Sequence, residues 1–295
     1  MNAILPKIST LPAKPAPTRE WLAGIDLLLA KRYQRTALMS SKHFGPLRVQ
    51  RPFYPEPDGC CHIYLLHPPG GLVIGDNLHI GASLQQGAQA LITTPSAGKL
   101  YGAKGASEKQ GQQVEFNLAA DSCLEWLPQE TIIFDGANGT LSTKVNLTGN
   151  AQYFGWDIIR LGRVASGEPF NTGTCEQRLQ LWRDGLPLFI EKTKFEASSN
   201  MHREKWGLQN ANTCATLTAT LQLTRDRIDE MLEALAQLGV TNVGEWGLTQ
   251  KESLFIARYL GNSITDCRKG FEFIWQQTRM AFNSKQAEVP RIWRT

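Results

Sequence analysis

Between Trp21 and about Leu223 the apolar residues fall in short runs, alternating with polar ones or rich in β-branched side chains. Glycine, proline and asparagine interrupt them, and no helical period of useful length appears. Cys61 to Leu66, Gly87 to Thr94, Gln112 to Leu118, Thr140 to Leu147 and Gln177 to Leu181 each read as a strand, with turns such as Gly136-Ala137-Asn138-Gly139 between them. A period of two assigns side chains to faces, but it does not distinguish parallel from antiparallel pairing.

The pattern changes at Thr213. Cys214 to Leu223 alternates as a half-buried strand, and Thr224 then offers an N-cap for a helix over Arg225 to Leu238. Its stripe is Ile228, Met231, Leu232, Leu235 and Leu238, with Asp226, Asp229 and Glu230 toward the positive end and Gly239 as a stop. Val240 to Val243 and Ser253 to Leu260 read as strands, and Thr265 or Asp266 as the cap of a second helix with stripe Phe271, Ile274, Trp275, Thr278 and Phe282. The expected class is therefore mainly β: a large β-rich body over residues 21–212, then a smaller C-terminal α+β portion over 213–295 with order β-α-β-β-α and two helices on one sheet face. Residues 1–20 carry four prolines and three basic residues without a continuous apolar core, so they read as a mobile tail rather than a signal peptide.

Composition narrows the class of function. The 295 residues are 42% hydrophobic, enough for a sizeable core. The net charge of +4 is small and dispersed, with no basic stripe interleaved with aromatics, which argues against nucleic acid. Apolar runs are too short to span a bilayer. Six cysteines without C-x-x-C spacing read as reduced, partly buried thiols and favour a cytoplasmic location. No nucleophile elbow, H-E-x-x-H helix, phosphate loop or dinucleotide fingerprint is present, so an enzyme is not expected.

The densest local information lies in His67-Pro68-Pro69-Gly70-Gly71-Leu72-Val73-Ile74-Gly75-Asp76. Two prolines fix φ and three glycines open conformations closed to other residues, so the segment encodes a particular turn that delivers Asp76 to a defined place. That place is either a corner, with Asp76 bonding nearby amides, or a site. His67 abuts the prolines and is expected to hold the turn rather than a metal. If a strand follows Gly75, Asp76 and His79 fall on opposite faces and share no site. In Cys60-Cys61-His62 adjacent side chains point oppositely, and core packing is the simpler reading. Trp126, Trp156, Trp182, Trp275 and Trp293 read as core or interface anchors.

This segment belongs to a series. Gly45-Pro46-Leu47 with Val49 to Glu56, the loop, Leu91 to Pro95 with Lys99-Leu100-Tyr101, Leu124 to Ile132, Leu161-Gly162-Arg163 with Ser166 to Phe170, and Pro290 to Thr295 follow one another in the order of one family. Together they resemble the urease accessory protein UreD family, called UreH in some organisms. Ile74 stands where the family more often has glycine, and Gly102 where it often has arginine.

The resemblance implies a β-helix-like stack in the body and a non-catalytic role in urease maturation. It implies as partners the accessory proteins UreF and UreG and the urease structural subunits, with UreG supplying the GTPase. It implies no tightly bound cofactor, only nickel(II) in transit through an internal water-filled passage. On that reading Asp76 is the first candidate for a passage-lining carboxylate. Glu191, after Leu186-Pro187-Leu188-Phe189-Ile190, is the second, with an ordinary salt bridge as its alternative. Two rival functions stay open: a metallochaperone with its own tight nickel site, and a β-rich enzyme with an unrecognised site. The terminal Ile292 and Trp293 are expected to be buried in the chain or under a partner.

Overall fold

The computed structural model describes residues 21–103, 108–238 and 246–294. Two sheets dominate it. Sheet one contains β1 (Trp21–Arg32), β2 (Arg35–Phe44), β5 (Asp76–Leu84), β8 (Gln110–Leu118), β11 (Asn138–Leu147), β13 (Thr174–Arg183) and β14 (Leu186–Glu196). Sheet two contains β3 (Arg48–Val49), β4 (Cys61–Leu66), β6 (Gln89–Thr93), β9 (Cys123–Leu127), β12 (Gln152–Leu161), β15 (Thr213–Ala219), β16 (Trp246–Lys251) and β17 (Leu254–Gly261), with the short β7 (Gly98–Leu100) and β10 (Thr131–Ile133) joined to β12 as a third side.

From β4 to β13 the chain passes back and forth between the sheets, and each strand lies parallel beside its counterpart from the previous coil. This is the β-helix-like stack that the resemblance implied. Antiparallel pairs are confined to the two ends of each sheet. The register stacks like on like: Ile80, Val114, Thr143 and Leu179 form one inward row of sheet one, facing a sheet-two row of Ile63, Ile92 and Trp126.

The sheets differ in what covers their outer faces. Strand β11 alternates strictly between buried and part-exposed positions, as one solvated face requires. Strand β9 is buried throughout, because helices α1 (Arg225–Gln237) and α2 (Ile264–Asn283) lie over sheet two. The same cover makes β15 almost wholly buried where the sequence suggests a half-buried strand. It pairs with β12, so the C-terminal strands continue sheet two.

Thr224 caps α1 as expected, its hydroxyl accepting from the Arg227 amide. Gly239, the proposed strand at Val240 to Val243 and the tail at 1–20 lie outside the described residues; the strand before β17 is β16. Helix α2 starts earlier than the sequence suggests, because Ser263 rather than Thr265 or Asp266 supplies the capping oxygen, 3.1 Å from the Asp266 amide. Its whole expected stripe is buried. Trp293, in a short 3-10 turn at Arg291–Arg294, packs against Trp156 and Trp275 and donates to Thr93 Oγ1 at 2.8 Å.

Candidate functional site

The proline-glycine loop is laced to its surroundings by its backbone. The Gly70 amide donates to the His67 carbonyl at 2.9 Å, Leu72 donates to Lys99 at 2.8 Å, and Tyr101 donates back to Leu72 at 2.9 Å. Gly70 and Gly75 hold φ of 76° and 89°, a region that favours glycine. The loop delivers Asp76 as the first residue of β5, pointing inward at one end of the space between the sheets and only 3% exposed. One carboxylate oxygen accepts from the Val73 amide at 2.9 Å, which realises the corner reading. The other oxygen is buried and has no hydrogen-bond partner among the described residues. His67 is half-buried beside it; burial lowers its imidazole pKa, and the Asp76 charge opposes that shift. His67 Nε2 is likewise buried and unpartnered. His79 faces away, 3.2 Å from Asp26 on the outer surface.

From this end a line of polar side chains crosses an otherwise apolar interior. A cavity of about 80 Å³ is walled by His67, Gly71 and Leu72 at one side and by Gln112, Gln129 and Thr131 at the other. A second, of about 30 Å³, shares Gln112, Gln129 and Thr131 and reaches Thr143, Asp157 and Gln177. The first is walled mostly by apolar side chains and the second about equally by polar and apolar ones; each has polar groups on its wall and is large enough to hold water. A third, of about 170 Å³, borders Gln129 as well and lies between the first turns of α2 and Trp293.

Asp157 sits in the middle of β12, whose neighbours on the same face are the buried Tyr153 and Ile159. Burial pushes its carboxyl up to about 6; hydrogen bonds from Thr143, at 3.4 Å, and Gln177 oppose the rise, and the Glu191 charge adds to it. Thr216, paired with Asp157 across sheet two, donates to Glu191 Oε1 at 3.0 Å. Glu191 also holds an ion pair with Arg258, so the salt-bridge reading of this residue is realised too. Asp76 and Glu191 are thus not brought together: β8, β11 and β13 separate their strands, and the line through Gln112, Thr143 and Asp157 runs between them.

A separate cluster lies on the other face of sheet two. Glu56, Cys60 and His62 offer ligand atoms within 4.8 Å of one another, all buried. The cluster is closed by cations. Arg279 of α2 donates to Glu56 at 2.7 Å and to Glu125 at 2.8 Å, and Lys285 stands 3.7 Å from Glu56. His62 Nε2 is 2.6 Å from Glu56. Burial drives the Cys60 thiol well above its ordinary range, with the Glu56 charge adding to the rise. A protonated thiol and an arginine on the shared carboxylate suit an ion-pair clamp holding α2 on the sheet, not a metal pocket.

The family model described as UreD urease accessory protein matches residues 22–294. The chain belongs to the UreD urease accessory protein family. It is 97% identical over 295 residues, the whole of both chains, to a protein of Saccharophagus degradans named urease accessory protein UreD. UreD proteins of Dechloromonas aromatica and Hahella chejuensis are each 40% identical, over 97% and 94% of this chain and 99% and 91% of theirs. These relatives are named as accessory proteins rather than enzymes. Among the described residues no helix is long and apolar enough to cross a membrane.

The family signatures acquire physical meaning in this UreD chain. In Leu124-Glu125-Trp126, Glu125 points out to Arg279 and to the Trp275 indole, while Trp126 points in and walls both interior cavities. Pro290 to Arg294 closes over the indoles of α2 and β12. Asp157, Thr143 and Gln177 went unseen in the sequence. The available signal was a lone carboxylate inside Tyr153-Phe154-Gly155-Trp156-Asp157-Ile158-Ile159, a run otherwise without charge.

Proposed function

We propose that this chain is a non-catalytic urease maturation scaffold, working in the cytoplasm, that holds UreF and UreG against apo-urease and gives nickel(II) a protected route to the urease active site. The observation that carries the reading is the set of polar side chains His67, Gln112, Gln129, Thr143, Asp157 and Gln177 that line two water-sized cavities inside an otherwise apolar core, with the Asp76 charge acting on His67 at one end and the Glu191 charge acting on Asp157 at the other. Carboxylates, amides and hydroxyls spaced along such a line hold a hydrated divalent ion weakly, and a carrier that must release its cargo needs weak contacts. Glu56, Cys60 and His62, locked by Arg279, offer little to the rival reading of a tight nickel site. The decisive experiment deletes this chain from an otherwise complete urease operon and measures the nickel content and activity of the purified urease. Urease should assemble but stay empty, and Asp76→Ala should restore less nickel than the parent chain. Fully loaded urease without the chain would overturn the assignment.

A further inference from the structure

A two-residue turn that matches the twist of its strands needs positive φ, so hairpin tips favour glycine and asparagine. β1 and β2 are joined by such a turn: Arg32 pairs with Arg35, which leaves Tyr33 and Gln34 as the loop. Tyr33 holds φ of 55°, a region unfavourable to a bulky side chain, and it is 99% exposed, so its ring rests on nothing in this chain that would offset the strain. The tip is also strongly charged. Lys31, Arg32 and Arg35 are exposed, and none has an ion pair among the described residues. Arg35 lies instead over the Tyr54 ring, 4.9 Å from its centre. From Leu27 to Pro55 the chain carries Lys31, Arg32, Arg35, Lys42, Arg48 and Arg51 and no aspartate or glutamate, and β2, which runs through this stretch, is an edge strand of sheet one. Cations on an edge discourage pairing between copies, but a fully exposed tyrosine at the tip does not serve that end.

We propose that Tyr33, flanked by Lys31, Arg32 and Arg35, is the anchor for a protein partner that offers an apolar slot for the phenol ring, rimmed by aspartates and glutamates. The inference rests on the scaffold reading above and gives one of its interfaces a place and a chemistry. Tyrosine and arginine are enriched among the residues that dominate binding energy at protein interfaces, and complementary charges around an anchor speed encounter and fix its register. Nucleic acid fits less well: proteins that bind single strands stack successive bases on several aromatics, and here one ring stands alone at the tip.

Tyr33→Gly separates binding from folding, because glycine accepts this turn without strain. Purified UreF, UreG and apo-urease are each titrated against the immobilised full-length chain at low and high salt. One of the three should bind the parent with an affinity that falls as salt rises, and should bind Tyr33→Gly at least about 30-fold more weakly, the loss expected of an interface anchor. The urea midpoint of the variant should stay where it was or rise. Replacing Lys31 and Arg32 together by glutamine should flatten the salt dependence. Equal affinity of the parent and Tyr33→Gly for the protein that binds would overturn the anchor and leave the scaffold standing. A urea midpoint that falls in Tyr33→Gly would also overturn it, as would tighter binding of a single-stranded oligonucleotide than of any of the three proteins. If the parent binds none of the three, the scaffold reading falls and the anchor with it.

Discussion

At the scale of single residues Glu56 is a carboxylate held charged against its own burial. Burial alone would raise its carboxyl, but hydrogen bonds from His62 and Arg279, with the Arg279 charge, hold it from 4.5 down to about 2. A carboxyl depressed in the folded state contributes stability that is fully present above its unfolded value and disappears as pH falls toward the folded one. The window here runs from about pH 4.5 down to about pH 2. The contribution is on the order of 3 kcal/mol, with about 2 kcal/mol of it gone by pH 3. Urea unfolding at pH 7 and pH 3 should therefore show a smaller difference in Glu56→Gln than in the parent, by about that amount. An identical pH dependence in the two proteins would mean that Glu56 is not held as its contacts indicate.

At the scale of the element, the 67–76 loop shows two glycines with different work. Gly70 needs its positive φ but has open space around it, so Gly70→Ala pays only for the left-handed backbone, about 1 kcal/mol. Gly71 is a matter of room: a Cβ there would stand 2.5 Å from the Tyr101 ring and 2.9 Å from Lys99 Cβ. Gly71→Ala must push the loop off β7 and should cost about 1–3 kcal/mol, more than Gly70→Ala, in paired denaturation curves. The reverse order would show that backbone conformation, not close approach, shapes the turn. The sequence made this loop legible because proline and glycine act locally. It made β8, β11 and β13 legible for a related reason: sheet one has a solvated face, and alternation records it, although each strand runs longer than the segment the sequence marks. Sheet two is buried on both faces, so His62 and Glu125 stand among apolar neighbours with nothing local to say that α2 will meet them.

At the scale of the whole molecule, parallel coiling itself left no mark in local periodicity. It depends on pairings such as Ile80 with Val114 and Val114 with Thr143, each between residues a full coil apart, and it entered only through the family resemblance. Asp157 was hidden for the same reason, since its meaning comes from Thr143 on the facing sheet and Glu191 at the sheet's far edge. What binds the coils to the C-terminal helices is Arg279, fully buried, which reaches Glu56 just before β4 and Glu125 on β9 from a single guanidinium. Removing one partner of a buried ion cluster strands the others, at about 3–5 kcal/mol, and here the loss falls on the seam between α2 and sheet two. The parent should therefore unfold in one transition, with far-ultraviolet dichroism, which follows the sheets, coinciding with tryptophan fluorescence, to which Trp275 and Trp156 at the seam contribute. In Arg279→Met the two should separate, fluorescence changing at lower urea because α2 leaves a still-coiled body. Coincident transitions in the variant, shifted together, would mean instead that sheet two cannot persist without its helical cover, and that the coils and the helices form one cooperative unit.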